Sequence, residues 1–232
     1  AAQSKLPAAT PAALEQGAKW LAKATELAGG RAAWAAVKTW QSEGSLKVSV
    51  QGQTLEVQQS LSWQLPDKRF AAQKLPFGEM SSGFDGKTGW RKAMGQIQDQ
   101  PNAAKQAIEE YAQSLFHLFR DGATLQVQAL PEPQVVDGVS CSVAAVKDET
   151  VRDWTIYFAP DGRLARMSFA GEGPKGPAQE TQSFADWKAV GDIQYPYSIT
   201  VLLDGEKYVD GTITSAKVNV TLDPSIFAKP AN

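Results

Sequence analysis

Leu46-Lys47-Val48-Ser49-Val50-Gln51-Gly52-Gln53-Thr54-Leu55-Glu56-Val57 alternates apolar and polar side chains on both sides of a Gln-Gly step. Successive side chains of a strand point to opposite faces, so this period of two reads as two strands joined by a tight turn. Moving outward, Leu61, Trp63 and Leu65 continue the second strand, and Pro66-Asp67 turns the chain. Lys68 to Leu75 predicts a third strand, and Met80 to Phe84, Asp85-Gly86 and Thr88 to Ala93 a further hairpin. The same alternation returns in Leu125/Val127/Ala129, Val139/Cys141/Val143/Ala145, Trp154/Ile156/Phe158 and Met167/Phe169. It then runs through Gln179 to Val190, Ile193 to Leu203 and Tyr208 to Val220. Six Asp-Gly pairs occur, at 85–86, 121–122, 137–138, 161–162, 204–205 and 210–211, and five fall between alternating segments. Glycine supplies the positive φ that tight hairpins need. Strands at this spacing without intervening helices predict a mainly β (α+β) fold: one strongly curved antiparallel sheet of about ten to twelve strands.

Three helices accompany the sheet. Thr10-Pro11 has the form of a helix start, and Leu14, Ala18, Leu21, Ala24 and Ala28 recur at helical spacing before Gly29-Gly30. Arg31 to Lys38 predicts a second, short helix. Between Pro101 and Arg120, Ile108, Tyr111, Ala112, Leu115, Phe116 and Phe119 form one apolar stripe at period 3.6, and Asp121-Gly122 stops it. The organisation expected is a flexible segment over 1–10 and a single domain over 11–232.

The 232 residues carry 23 basic and 25 acidic side chains, with 43% hydrophobic and 21% charged residues. That composition is globular, and it lacks the basic excess of a nucleic-acid binder. One cysteine cannot form an internal disulfide or a cysteine zinc site, and one histidine cannot build a multi-histidine metal site. No apolar run approaches the roughly 18 residues of a membrane helix. Ala1 to Pro11 is a small-residue, polar stretch such as remains behind a signal-peptidase cut, and equally such as links two domains, so it leaves export and an interdomain linker both open.

Candidate chemistry is sparse. Gly171-Glu172-Gly173-Pro174-Lys175-Gly176 spells a dinucleotide fingerprint, but that motif works only where a helix begins at the last glycines. Here prolines interrupt it and alternation follows, so a loop is expected and no cofactor. His117 lies three residues after Ser114 with Glu109, Glu110 and Asp121 nearby; three such groups would have to converge at a cleft to act as a triad. A boundary position on the helix is the expectation for His117, and a buried one for Cys141. Seven tryptophans either fill a large core or, in part, line a hollow between sheet and helices.

Several motifs resemble those of LolA-like proteins, bacterial periplasmic carriers of lipoproteins. They are Leu65-Pro66-Asp67-Lys68-Arg69-Phe70, then Phe84-Asp85-Gly86-Lys87-Thr88-Gly89-Trp90. Similar too are Trp154 to Phe158 with Asp161-Gly162-Arg163-Leu164, and the closing Leu222-Asp223-Pro224-Ser225-Ile226-Phe227. The resemblance covers about residues 25–229. It implies an incomplete β-barrel with a helical lid or plug, and a periplasmic, non-enzymatic protein whose apolar cavity holds acyl chains of lipids or lipoproteins. Applied to the alternation, it places Val48, Val57, Trp63, Phe70, Met80, Trp90, Ile156 and Phe158 on the cavity lining, and Ile108, Leu115 and Phe119 on the lid. In the family's carriers an arginine stands immediately before the proline and pins the lid; here that place is Leu65, which implies that this polar latch is missing. The segments Ala28 to Trp34 and Phe227 to Pro230 look closer to a branch that serves as an accessory, sensor or interaction domain of the cell envelope. Some of that branch follow insulinase-like zinc peptidase domains.

Overall fold

The computed structural model describes residues 7–50 and 52–231. The first six residues of the expected flexible segment lie outside them; of the rest, Pro7 offers its carbonyl to the Gln128 side chain. Fourteen strands form antiparallel pairs throughout. They are β1 (Thr39–Val50), β2 (Gln53–Gln64), β3 (Lys68–Leu75), β4 (Gly78–Phe84), β5 (Gly89–Ala93), β6 (Gln96–Asp99) and β7 (Gln126–Ala129). The chain continues through β8 (Gln134–Val136), β9 (Val139–Lys147), β10 (Trp154–Phe158), β11 (Leu164–Gly173), β12 (Gly176–Val190), β13 (Ile193–Leu203) and β14 (Glu206–Val218). The order across the sheet is β6-β5-β4-β3-β2-β1-β14-β13-β12-β11-β10-β9-β7, with β8 beside β9. The two outer strands do not meet, so the curved sheet is an incomplete barrel.

The alternation over 46–57 becomes the β1–β2 hairpin, with Leu46 opposite Val57 and Val48 opposite Leu55. Register shifts at Glu43/Gly44, Tyr157/Phe158 and Val201/Leu202 add local bends, and bends of this kind help a wide sheet to curl. Asp137-Gly138 and Asp204-Gly205 take positive φ at both residues, as two-residue hairpins require. Asp210-Gly211, by contrast, runs straight through β14, where Gly211 faces Leu46. The Gly171–Gly176 fingerprint is the β11–β12 hairpin, so no helix follows it.

Three α-helices pack on the sheet: α1 (Pro11–Leu27), α2 (Arg31–Ala36) and α3 (Ala103–Ala112). Thr10 caps α1 by accepting from the Ala13 N–H, and the helix ends with Gly30 bonded back to Thr25. Gly17 lets α1 sit directly on β7: an added Cβ would lie 2.3 Å from the Val127 carbonyl oxygen. The single helix expected over 101–120 is broken. The Ser114 hydroxyl donates to the Tyr111 carbonyl at 2.6 Å, a competition with the helical ladder that serines offer, and the chain continues as a π-turn over His117–Asp121. Leu115, Phe116, Leu118 and Phe119 from this second half are buried in the core.

Candidate functional site

The core occupies one end of the concave face. Phe116 packs against Trp34 at 5.4 Å, Trp40 at 5.5 Å and Trp63 at 5.7 Å between ring centroids, and Phe119 lies 5.0 Å from Trp34. Trp20 meets Phe158, Trp187 meets Phe184, and Trp154 is fully buried. Six of the seven tryptophans thus fill or flank the core. Trp90 is the seventh, and it seals the other side of the sheet: its indole covers Gly83 and donates to the Phe227 carbonyl at 2.9 Å.

Register assigns the faces. Trp40 is opposite Trp63, and Trp63 opposite Arg69, so these share the concave side. Phe70, the next residue, is therefore on the opposite face, and its cross-strand line runs through Gly83 to Trp90. Phe70 and Trp90, whose rings lie 6.2 Å apart, thus have the opposite parity to Trp63, although Trp90 still borders a hollow beneath α3. Val48, Val57, Trp63 and Met80 share the concave parity. Ile156 and Phe158 are also on the concave side but sealed within the core, 0% and 2% exposed. On the lid, Leu115 and Phe119 are core residues, whereas Ile108 is 59% exposed. The break after Ala112 separates Ile108 from the inward stripe, and α3 turns Ala103 and Glu110 to the sheet instead.

A hollow of about 530 Å³ remains beneath α3. The β4–β5 hairpin with Arg69 forms one wall, Thr150, Arg152, Ala170, Gly171 and Glu180 the other, and α3 the roof. Two contacts seat the roof. Ala103 rests on Gly89, where an added Cβ would lie 2.0 Å from the Ala103 methyl, and the Arg69 guanidinium donates to Glu110 at 2.6 Å. A polar latch between sheet and helix therefore exists, four residues beyond Leu65, where sequence reading found none. Burial pushes the Glu110 carboxyl up, against the pull of Arg69. Across the hollow, burial also raises Glu180, whose oxygen accepts from the Gln182 amide at 2.7 Å.

His117 stands beside the hollow. Its ring nitrogens lie 3.3 Å from Asp121 Oδ2 and 3.1 Å from Asp148 Oδ2, and Tyr111 donates to Asp121 at 2.6 Å. Burial opposes ionisation of Asp148. The Val151 and Thr150 N–H groups and His117 outweigh that effect and hold its carboxyl below the usual value. The network ties the π-turn to the β9–β10 loop, which carries Thr150 and Arg152 into the wall. The Ser114 hydroxyl donates to the Tyr111 carbonyl and accepts only from the His117 backbone N–H, while both ring nitrogens face carboxylates, so serine and imidazole are not paired. Among the described residues no cluster of three metal-ligating side chains occurs, and no helix is long and apolar enough to cross a membrane. Local sequence carried no signal for the Arg69–Glu110 pair or for Glu180. Only strand register shows that Arg69 and Glu180 point inward, and only the packing of α3 shows it for Glu110.

The same overall fold occurs in known structures. A putative outer membrane lipoprotein-sorting protein domain from Vibrio parahaemolyticus superposes with a TM-score of 0.56 at 10% identity, over 93% of this chain and 97% of that one. A LolA superfamily protein from Nitrosomonas europaea gives 0.57 at 12% identity, over 92% and 97%. The fold is LolA-like. A DUF1329 family protein from Desulfovibrio piger also matches at 0.57 and 10% identity, over 93% and 97%. No family model and no curated protein matches the chain in sequence. It is thus a divergent form of the LolA-like fold, in which Arg69 makes the contact to the roof.

Proposed function

We propose that this protein is a non-catalytic carrier of the bacterial periplasm, which takes acyl chains of lipids or lipoproteins beneath α3. One observation carries the reading. A hollow of about 530 Å³, of a size typical for ligand sites, is roofed by a helix seated by one ion pair and one alanine–glycine contact. The lining is mixed rather than uniformly apolar as the resemblance implied, with Phe84, Trp90, Ala103, Ala107 and Ala170 beside the charged groups; each methylene that meets its apolar part yields ~0.8 kcal/mol, so a few offer on the order of several kcal/mol before the costs of association. That exceeds what a partly exposed ion pair contributes, about 0–1 kcal/mol, so an entering chain can displace the latch.

Uptake of a fluorescent fatty acid tests this. The native protein is expected to saturate near one chain per molecule, and Arg69→Ala to load several-fold faster. No uptake by either protein would overturn the reading. That outcome would favour an accessory domain of the envelope, such as one following an insulinase-like peptidase, for which the aromatic plug around Trp34 and Phe116 speaks.

A further inference from the structure

We propose that the hollow beneath α3 recognises a zwitterionic phospholipid headgroup, with its ammonium at Glu180 and its phosphodiester at Arg152. The inference rests on the carrier reading and deepens it.

Glu180 lies on the concave face of β12, opposite Phe169, and an added Cβ on Gly171 would come within 3.3 Å of its carboxylate oxygen. Among the described residues it has no ion pair; its one polar partner is the Gln182 amide. Arg152 lines the same wall, held there by the bond from the Ala170 N–H to its own carbonyl, and its guanidinium likewise makes no ion pair among the described residues. The two charges do not pair with each other. Of the other cations lining the hollow, the more buried Arg69 is already taken by Glu110 and Lys105 by Glu109. A half-buried carboxylate without a cation is unfavourable, and an incoming ammonium relieves it. A guanidinium at the rim meets the planar oxygens of a phosphodiester. One wall thus offers a separated negative and positive site, which complements a headgroup carrying both charges and mismatches a purely anionic one. Among the remaining lining charges Lys105 pairs with Glu109, and Arg91 and Glu172, exposed like Arg152, offset one another in sign, so together they add no net charge.

The test compares two lipids with identical chains, dioctanoyl phosphatidylethanolamine and dioctanoyl phosphatidylglycerol, by isothermal titration calorimetry below their micellar concentrations. The zwitterionic lipid is expected to bind about tenfold more tightly. Glu180→Gln should remove that preference by weakening only the zwitterionic lipid, and Arg152→Gln should weaken both lipids. Equal affinities, a preference for the anionic lipid, or an unchanged preference in Glu180→Gln would each overturn the headgroup assignment while leaving the carrier reading intact. Binding of neither lipid would overturn both.

Discussion

Glu180 holds a charge where the surrounding sheet offers little water, and its titration makes that measurable. Burial raises its carboxyl above the ordinary 4.5, so the folded state binds the proton more tightly than the unfolded chain. Stability from this group is therefore present at low pH and is lost as pH rises from 4.5 through the folded value. Glu180→Gln cannot ionise. Its Tm should match the native protein's below pH 4.5 and exceed it by a degree or more at pH 8, whereas parallel profiles would contradict the assignment. Asp148 works in the opposite sense. Held below 3.8, it contributes stability that is complete above that value and declines as pH falls through its folded value. Gly17 makes a steric prediction. Gly17→Ala places a methyl against the Val127 carbonyl and should destabilise the fold by about 1–3 kcal/mol in urea denaturation, while a neutral result would mean that α1 does not rest on β7.

At the scale of elements, α3 is seated far more lightly than the π-turn that follows it. Its inward contacts are Ala103 on Gly89 and Glu110 on Arg69, while Leu118 and Phe119 beyond the break are fully buried. Arg69→Ala should speed amide hydrogen exchange in α3 roughly two- to fivefold, the equivalent of about 0.5–1 kcal/mol, and leave the core strands unchanged. Unchanged α3 exchange would show that the latch does not seat the helix. The C-terminal segment is a second device. Asn219 accepts from the Lys38 N–H, the carbonyl of the buried Phe227 accepts from the Trp90 indole, and Lys229 reaches Asp99 at 2.7 Å, so the segment straps the sheet from β14 to β6. Phe227→Ala should cost about 3–5 kcal/mol and shift Trp90 emission to the red; a native-like spectrum would contradict the strap.

Across the whole molecule, what was legible in the sequence was what local periodicity encodes. Alternation around Leu46–Val57 and the Asp-Gly steps located most strands and four of the hairpin turns, because strand faces and positive-φ turns are properties of a few adjacent residues. The site was less legible. Phe70 alternates like a lining residue, yet the pairing through the successive β2–β5 hairpins gives it the opposite parity to Trp63, which alternation alone does not reveal. Ile108 and Leu115 share a stripe on paper, yet one hydroxyl at Ser114 breaks the helix between them. The charges that shape the hollow, Arg69, Glu110 and Glu180, come together from positions up to 111 residues apart, and no local pattern marks them.

The most direct test of the central claim is native mass spectrometry of the freshly purified protein, before and after incubation with a short-chain phospholipid. The account predicts an added mass of one lipid per protein, removable by solvent extraction and recovered on reloading. A mass that stays at that of the bare chain through both steps would contradict it.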